Sequence, residues 1–162
     1  MRKKSRFYGA GKLSLRELAA RKGRKGGGKR GRVLTLREIR RMKKRGYQAE
    51  RDLVKMLRGI GFRSVRIPVS APSSEPLPDV FAVKSNCIVA FEVKAPSHGR
   101  AYFPRNQVKK LFDFLGMFDA YPVRIAVLVA RFPRKWIFKR VEDIDDYFIS
   151  KNETGNLRLE AI

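Results

Sequence analysis

Cysteine, histidine and acids are what this chain of 162 residues is short of. With one cysteine and one histidine, it can build neither a disulfide framework nor a Cys/His zinc site. Cys87 lies within an apolar run and reads as a small buried hydrophobe. A thiolate nucleophile would need a basic partner, and His98 sits in a polar loop. The cysteine usage fits a reducing interior, so a cytoplasmic protein is expected. No run is apolar enough to span a bilayer, and the basic N-terminus lacks the apolar stretch of a secretory signal. Nor is there a long basic helix with a Trp/Phe face, so a membrane surface is not the expected partner.

Acids are scarce and unevenly placed. The 15 Asp and Glu stand against 38 Lys and Arg, for a net charge of +23. Residues 1–46 hold 19 of the basic residues and only the acids Glu17 and Glu38, net +17, leaving +6 for the remainder. Such a polycation seeks a polyanion, whose phosphates release counterions on binding. The expected organisation is a basic, largely flexible extension over residues 1–43 and a folded domain over 44–162. Gly26-Gly27-Gly28 inside a charge block cannot build a core. Within the extension Leu13-Ser14-Leu15-Arg16-Glu17-Leu18 recurs as Leu34-Thr35-Leu36-Arg37-Glu38-Ile39. Both copies carry a capping box, Ser14 with Glu17 and Thr35 with Glu38, and each can start a short helix. That helix reads either as one that folds on a phosphate track or as part of a solvated tail.

Downstream, Leu53, Val54 and Leu57 share one face of a helix from about Tyr47 to Arg58. Continuity with the Thr35 helix through Gly46 would cost roughly 1 kcal/mol. Gly59-Ile60-Gly61 closes it, and Ser64–Ile67 reads as a first strand. Val80–Val83 and Cys87–Phe91 flank the turn Lys84-Ser85-Asn86 and read as a hairpin. Ala95–Ala101 reads as a polar loop. Pro104 opens a helix of about a dozen residues, Pro being well placed at a first turn, with Val108, Leu111, Phe112 and Leu115 as its buried face. Pro122–Ala130 is an apolar strand buried on both sides, Trp136–Phe138 another strand, and Val141–Phe148 a short acidic helix or turn. The order suits an α/β fold, a mixed central sheet flanked by helices.

The hairpin carries the chemistry. Asp79 opens its first strand and Glu92 ends its second, so antiparallel pairing brings them together. Alternation puts Lys94 on the same side as Glu92. Two hard carboxylate oxygens suit Mg²⁺, and an adjacent ammonium can orient a water or stabilise developing charge. Pro78-Asp79 followed by Glu92-Val93-Lys94 resembles the PD-(D/E)xK nuclease signature. On that motif alone, a solvated strand end with a rim salt bridge is an equal reading.

The context narrows it. Gly46 to about Lys139 resembles the archaeal Holliday junction resolvases. The matching pieces are Gly46-Tyr47-Gln48-Ala49-Glu50-Arg51-Asp52-Leu53-Val54, Leu57-Arg58, Gly61-Phe62-Arg63-Ser64-Val65-Arg66 and Pro68-Val69-Ser70. Then follow Pro76-Leu77-Pro78-Asp79, Glu92-Val93-Lys94, Tyr102, Arg105, Gln107, Leu111 and Phe114. The resemblance implies a restriction-endonuclease-like fold and an endonuclease that resolves four-way DNA junctions to 5′-phosphate and 3′-hydroxyl ends. It implies Mg²⁺, with Mn²⁺ as a substitute, held by Asp79, Glu92, Glu50 and the Val93 carbonyl, with no small-molecule cofactor. Lys94 assists the attacking water, and Ser70 stands beside the cleft. Arg51, Arg66, Arg105 and Gln107 are candidate DNA contacts. Taken alone, Glu50 is an ordinary surface acid and Arg66 a surface arginine.

Symmetric cleavage implies a homodimer, for which Phe132, Trp136 and Phe138 are candidate interface residues, acting on branched DNA through shape and backbone. Two alternatives stay open: a related nuclease for another branched or damaged DNA, and a non-catalytic architectural DNA- or RNA-binding protein. Against the latter, an acidic cluster in so basic a chain opposes phosphate binding unless a cation neutralises it.

Overall fold

The structure is a computed structural model and describes residues 35–68 and 75–162. The first copy of the repeat, most of the basic extension and Ser70 lie outside the described residues. Helix α1 runs over Leu36–Gly59. Its start is the expected capping box: the Thr35 hydroxyl accepts the Glu38 N–H at 3.3 Å, and the Glu38 carboxylate accepts the Thr35 N–H at 2.8 Å. The helix passes Gly46 without a break, as one continuous element. Ala49, Leu53, Val54 and Leu57 form its buried stripe, and Gly61, at φ +91°, turns the chain out of it.

Among the described residues, seven strands and one more helix follow: β1 (Arg63–Arg66), β2 (Val80–Lys84), β3 (Cys87–Lys94), β4 (Arg100–Phe103), α2 (Arg105–Gly116), β5 (Val123–Phe132), β6 (Lys135–Val141) and β7 (Tyr147–Ser150). A 3-10 turn over Leu159–Ala161 closes the order. The main sheet runs β1-β2-β3-β5-β6, antiparallel throughout except where β5 lies parallel to β3. A parallel neighbour needs a crossover, and β4 with α2 supplies it.

Both faces are covered. Val89, Phe91 and Val93 of β3 pack with the α1 stripe, while Ile88 and Ala90 pack with Val108 and Leu111 of α2. Double burial is why β3 and β5 read as unbroken apolar runs.

Four details depart from the sequence expectations. Residues 100–103 form a strand rather than the end of a loop, and 147–150 a strand rather than a helix or turn. The two pair as a separate sheet, with Tyr102 opposite Phe148 and Ala101 opposite Ile149. Ala101, Phe103 and Ile149 are buried in the α2-side core; the acids Glu142–Asp146 occupy only the turn before β7. On α2, Phe114 rather than Phe112 joins the buried face, because it lies against Phe81 and Phe118, with ring centroids 5.5 and 5.0 Å away. Phe132 is buried core and so does not face a partner, while Trp136 and Phe138 are partly buried against the α1-side core.

The outer edge of β6 is not bare. The Asn156 side chain accepts the Arg140 N–H at 2.7 Å and donates to the Arg140 carbonyl at 3.1 Å. It thus makes the two bonds a neighbouring strand would make, which is one way to blunt an edge. Gly155 lies so close that an added Cβ would stand 3.0 Å from the Phe138 nitrogen and press on its carbonyl. Gly155→Ala is therefore expected to cost about 1–3 kcal/mol by overpacking, read as a lower urea midpoint at unchanged slope.

Candidate active site

Asp79 is held by backbone on both sides: its N–H donates to the Phe91 carbonyl at 3.1 Å, and its carbonyl accepts the Ile67 N–H at 2.9 Å. The register Val80↔Phe91 sets Asp79 opposite Glu92. The Asp79 carboxylate accepts the Val93 N–H at 2.8 Å, and Glu92 accepts from the Lys94 ammonium at 3.0 Å. Glu50 enters from α1, on the other face of the sheet, and is paired with Arg66 at the end of β1. Arg66 is itself held under the Tyr47 ring, 4.8 Å from its centroid.

Burial governs the electrostatics. Glu50 and Glu92 are each only 8% exposed. Burial, then the charge of Asp79, pushes the Glu92 carboxyl up to about 7, against the pull of Lys94. Asp79 is raised by burial, opposed by the Val93 N–H and then by the Lys94 and Arg66 charges. Glu50 is raised by burial, opposed by its bond to Arg66 and raised again by Asp79. Glu50 and Glu92 both feel the charge of Asp79, so the three form one electrostatic unit, whose charged form is disfavoured until a cation joins it.

Among the described residues, no three His, Cys, Asp or Glu side chains stand together in an arrangement that would already hold a metal ion. The carboxylates instead turn to Arg66, the Val93 N–H and Lys94. The donor set is nonetheless one of hard oxygens, and its crowding is what a divalent cation relieves, so the residues present fit such an ion.

The candidate DNA contacts divide. Arg66 turns inward to Glu50, whereas Arg51 is exposed on α1. Arg105 and Gln107 stand on the first turn of α2, where Asp146 accepts the Arg105 N–H at 2.7 Å. The Gln107 side-chain oxygen is buried without a protein hydrogen-bond partner. Val93 sits in the ladder opposite Val129. Sequence reasoning missed Tyr47, which holds Arg66; only its position one turn before Glu50 hinted at that.

Sheet, flanking helices and acid cluster together define a restriction-endonuclease-like nuclease. The chain belongs to the archaeal Holliday junction resolvase (Hjc) family, whose family model matches residues 41–162. It is 43% identical over 102 residues to the crossover junction endodeoxyribonuclease Hje of Saccharolobus islandicus, covering 61% of this chain and 76% of that protein. Against the Hjc of Archaeoglobus fulgidus it is 32% identical over 105 residues, covering 64% of this chain and 74% of the relative. The solved structure of Archaeoglobus fulgidus Hjc, a Holliday junction resolvase, superimposes with a TM-score of 0.55 at 26% identity, covering 65% of this chain and 88% of that one. The chain is accordingly a hydrolytic nuclease of a divalent-metal-dependent family. Among the described residues no helix is long and apolar enough to cross a membrane.

Proposed function

We propose that this chain is a Mg²⁺-dependent, structure-selective endonuclease that resolves four-way DNA junctions by paired, symmetric phosphodiester hydrolysis. The observation that carries it is the cluster of buried, mutually repelling carboxylates beside Lys94 in a strongly basic chain. Asp79 and Glu92, with Glu50 and the Val93 carbonyl, would hold the ion, with Mn²⁺ as a substitute. A bound divalent cation supplies Lewis-acid polarisation of the phosphate and a more acidic water.

The other tasks fall to the chain. Lys94 carries an ammonium beside both acids, able to donate to a phosphate oxygen or to orient the attacking water. Arg66 keeps Glu50 directed into the cluster. The burial of Glu50 and Glu92 keeps solvent from screening these charges. Arg51, Arg105 and Gln107 would contact the DNA backbone, which positions without reading sequence. Ser70, which lies outside the described residues, would contact the backbone of the scissile strand, and the polycationic residues 1–43 would add salt-sensitive, sequence-independent affinity. Two coordinated cuts need two sites related by a two-fold axis, so the active form would be a homodimer.

The test is cleavage of an immobile four-way junction in Mg²⁺, with linear duplex of the same sequence as competitor. Paired symmetric nicks, lost in Asp79→Asn while junction binding persists, are the expected result. Tight binding without cutting in Mg²⁺ or Mn²⁺ would sink the reading, and cutting confined to flaps or nicks would change the substrate.

A further inference from the structure

Beside the acid cluster lies a cavity of about 510 Å³ that the proposal above does not use. Its walls include Arg45 and Gln48 of α1, Pro96 and Ser97 of the segment after β3, and Arg131 and Arg134 of the β5–β6 hairpin. Three arginines thus line it, one from α1 and two from the β5–β6 hairpin. Arg131 is fixed, paired with Asp52 at 2.7 Å and lying over the Trp136 ring at 5.2 Å. Gln48 holds Asp52 in turn, at 2.8 Å. Arg45 and Arg134 make no ion pair among the described residues. Both are exposed, so an anion entering the depression meets two guanidiniums that no described acid pairs.

The backbone adds a second, independent sign. Phe132 pairs with Lys135, leaving Pro133-Arg134 as a two-residue turn, and Arg134 sits at φ +62°. That conformation favours glycine, yet the position carries the longest cationic side chain available and presents it to the cavity. Ala95, the residue following Lys94, also lines the cavity, which places it next to the acid cluster along the chain.

The geometry points to a second anchoring site, which takes a backbone phosphate of the DNA duplex arm next to the scissile one. Arg45 and Arg134 supply the charge, and Arg131 is prealigned between Asp52 and Trp136. Gln48 and Ser97 offer neutral donors. The assignment of DNA as the ligand rests on the nuclease reading of the neighbouring acids.

The experiment is equilibrium binding of the full chain to a four-way junction and to linear duplex, without metal, over a series of salt concentrations. Arg134→Gly and Arg45→Gln are each expected to lower the slope of log affinity against log salt, and the two together by about 0.9, the worth of the one phosphate contact they share. Because the contact is to duplex backbone, the loss is expected on both DNAs. Arg134→Gly should also hold or raise the thermal midpoint, since glycine suits the turn, so weakened binding would not trace to unfolding. Unchanged slopes in both variants, with junction cutting intact, overturn this site and spare the nuclease reading. Slope losses in a chain that cuts no junction overturn the nuclease reading and leave the phosphate site standing.

Discussion

Glu92→Gln is expected to bind junctions as the parent does, to cut them at least about 10²–10³-fold more slowly, and to be more stable than the parent at pH 8. The loss of cutting follows from removing one of the acids that hold the ion. The gain in stability follows from burial. The Glu92 carboxyl is raised from 4.5 to about 7 by burial and by Asp79, so the folded protein holds this proton more tightly than the unfolded chain. Below the unfolded value both states are protonated and the folded state bears no penalty. As pH rises from there through about 7 the charge is forced into the cluster, and the penalty reaches at most about 3 kcal/mol above it. Glutamine is neutral at every pH. The stability difference should therefore be near zero at pH 4 and grow to its full size by pH 8, read from urea unfolding at both values. Millimolar Mg²⁺ should narrow the gap by stabilising the parent, because an ion that binds only the folded state adds to its stability. EDTA should restore it. A variant less stable than the parent at pH 8 would sink the crowded-carboxylate account.

The parts of this design that were legible in the sequence are those written locally. The capping box at Thr35 and Glu38 needs only spacing, and so does the α1 stripe through Leu53 and Leu57. The hairpin that opposes Asp79 to Glu92 is two apolar runs around a short polar turn, and its register follows from the turn. The resolvase resemblance added the fold and Glu50, whose surroundings in the sequence are those of any surface acid. What escaped was distant pairing. Strands β4 and β7 are four residues each and lie on either side of α2, β5 and β6, so neither shows enough alternation to be read alone. Only their contact makes Ala101, Phe103 and Ile149 core residues. The same holds for Asn156 on the edge of β6 and for Arg66 between Tyr47 and Glu50. Phe112 and Phe114 flank the same helical stripe, and the choice between them is made by Phe81, a residue of another element.

Lys94→Met is the companion experiment, with an expected loss of about 10²–10⁴-fold in cutting and the opposite effect on stability. The ammonium lies 3.0 Å from the Glu92 carboxylate and lowers the proton affinity of both Glu92 and Asp79. Its removal leaves the buried Glu92 and the partly buried Asp79 less compensated, so the folded state should lose roughly 1–2 kcal/mol at pH 8. That loss should shrink as pH falls and Glu92 takes up its proton. The double variant Glu92→Gln/Lys94→Met separates two roles. If Lys94 matters to the fold only through Glu92, its removal should cost little once residue 92 is neutral, and the two stability changes should be strongly non-additive. Activity should not follow that pattern. A lysine that merely balanced Glu92 would become dispensable under acidic conditions, and Lys94→Met would then regain parental rates as pH falls toward 6. A lysine that works on the phosphate or the attacking water is needed at every pH. The expected profile is a rate deficit that stays flat from pH 6 to pH 9 while the stability deficit varies across the same range. A rate deficit that closed together with the stability deficit would reduce Lys94 to a counter-ion.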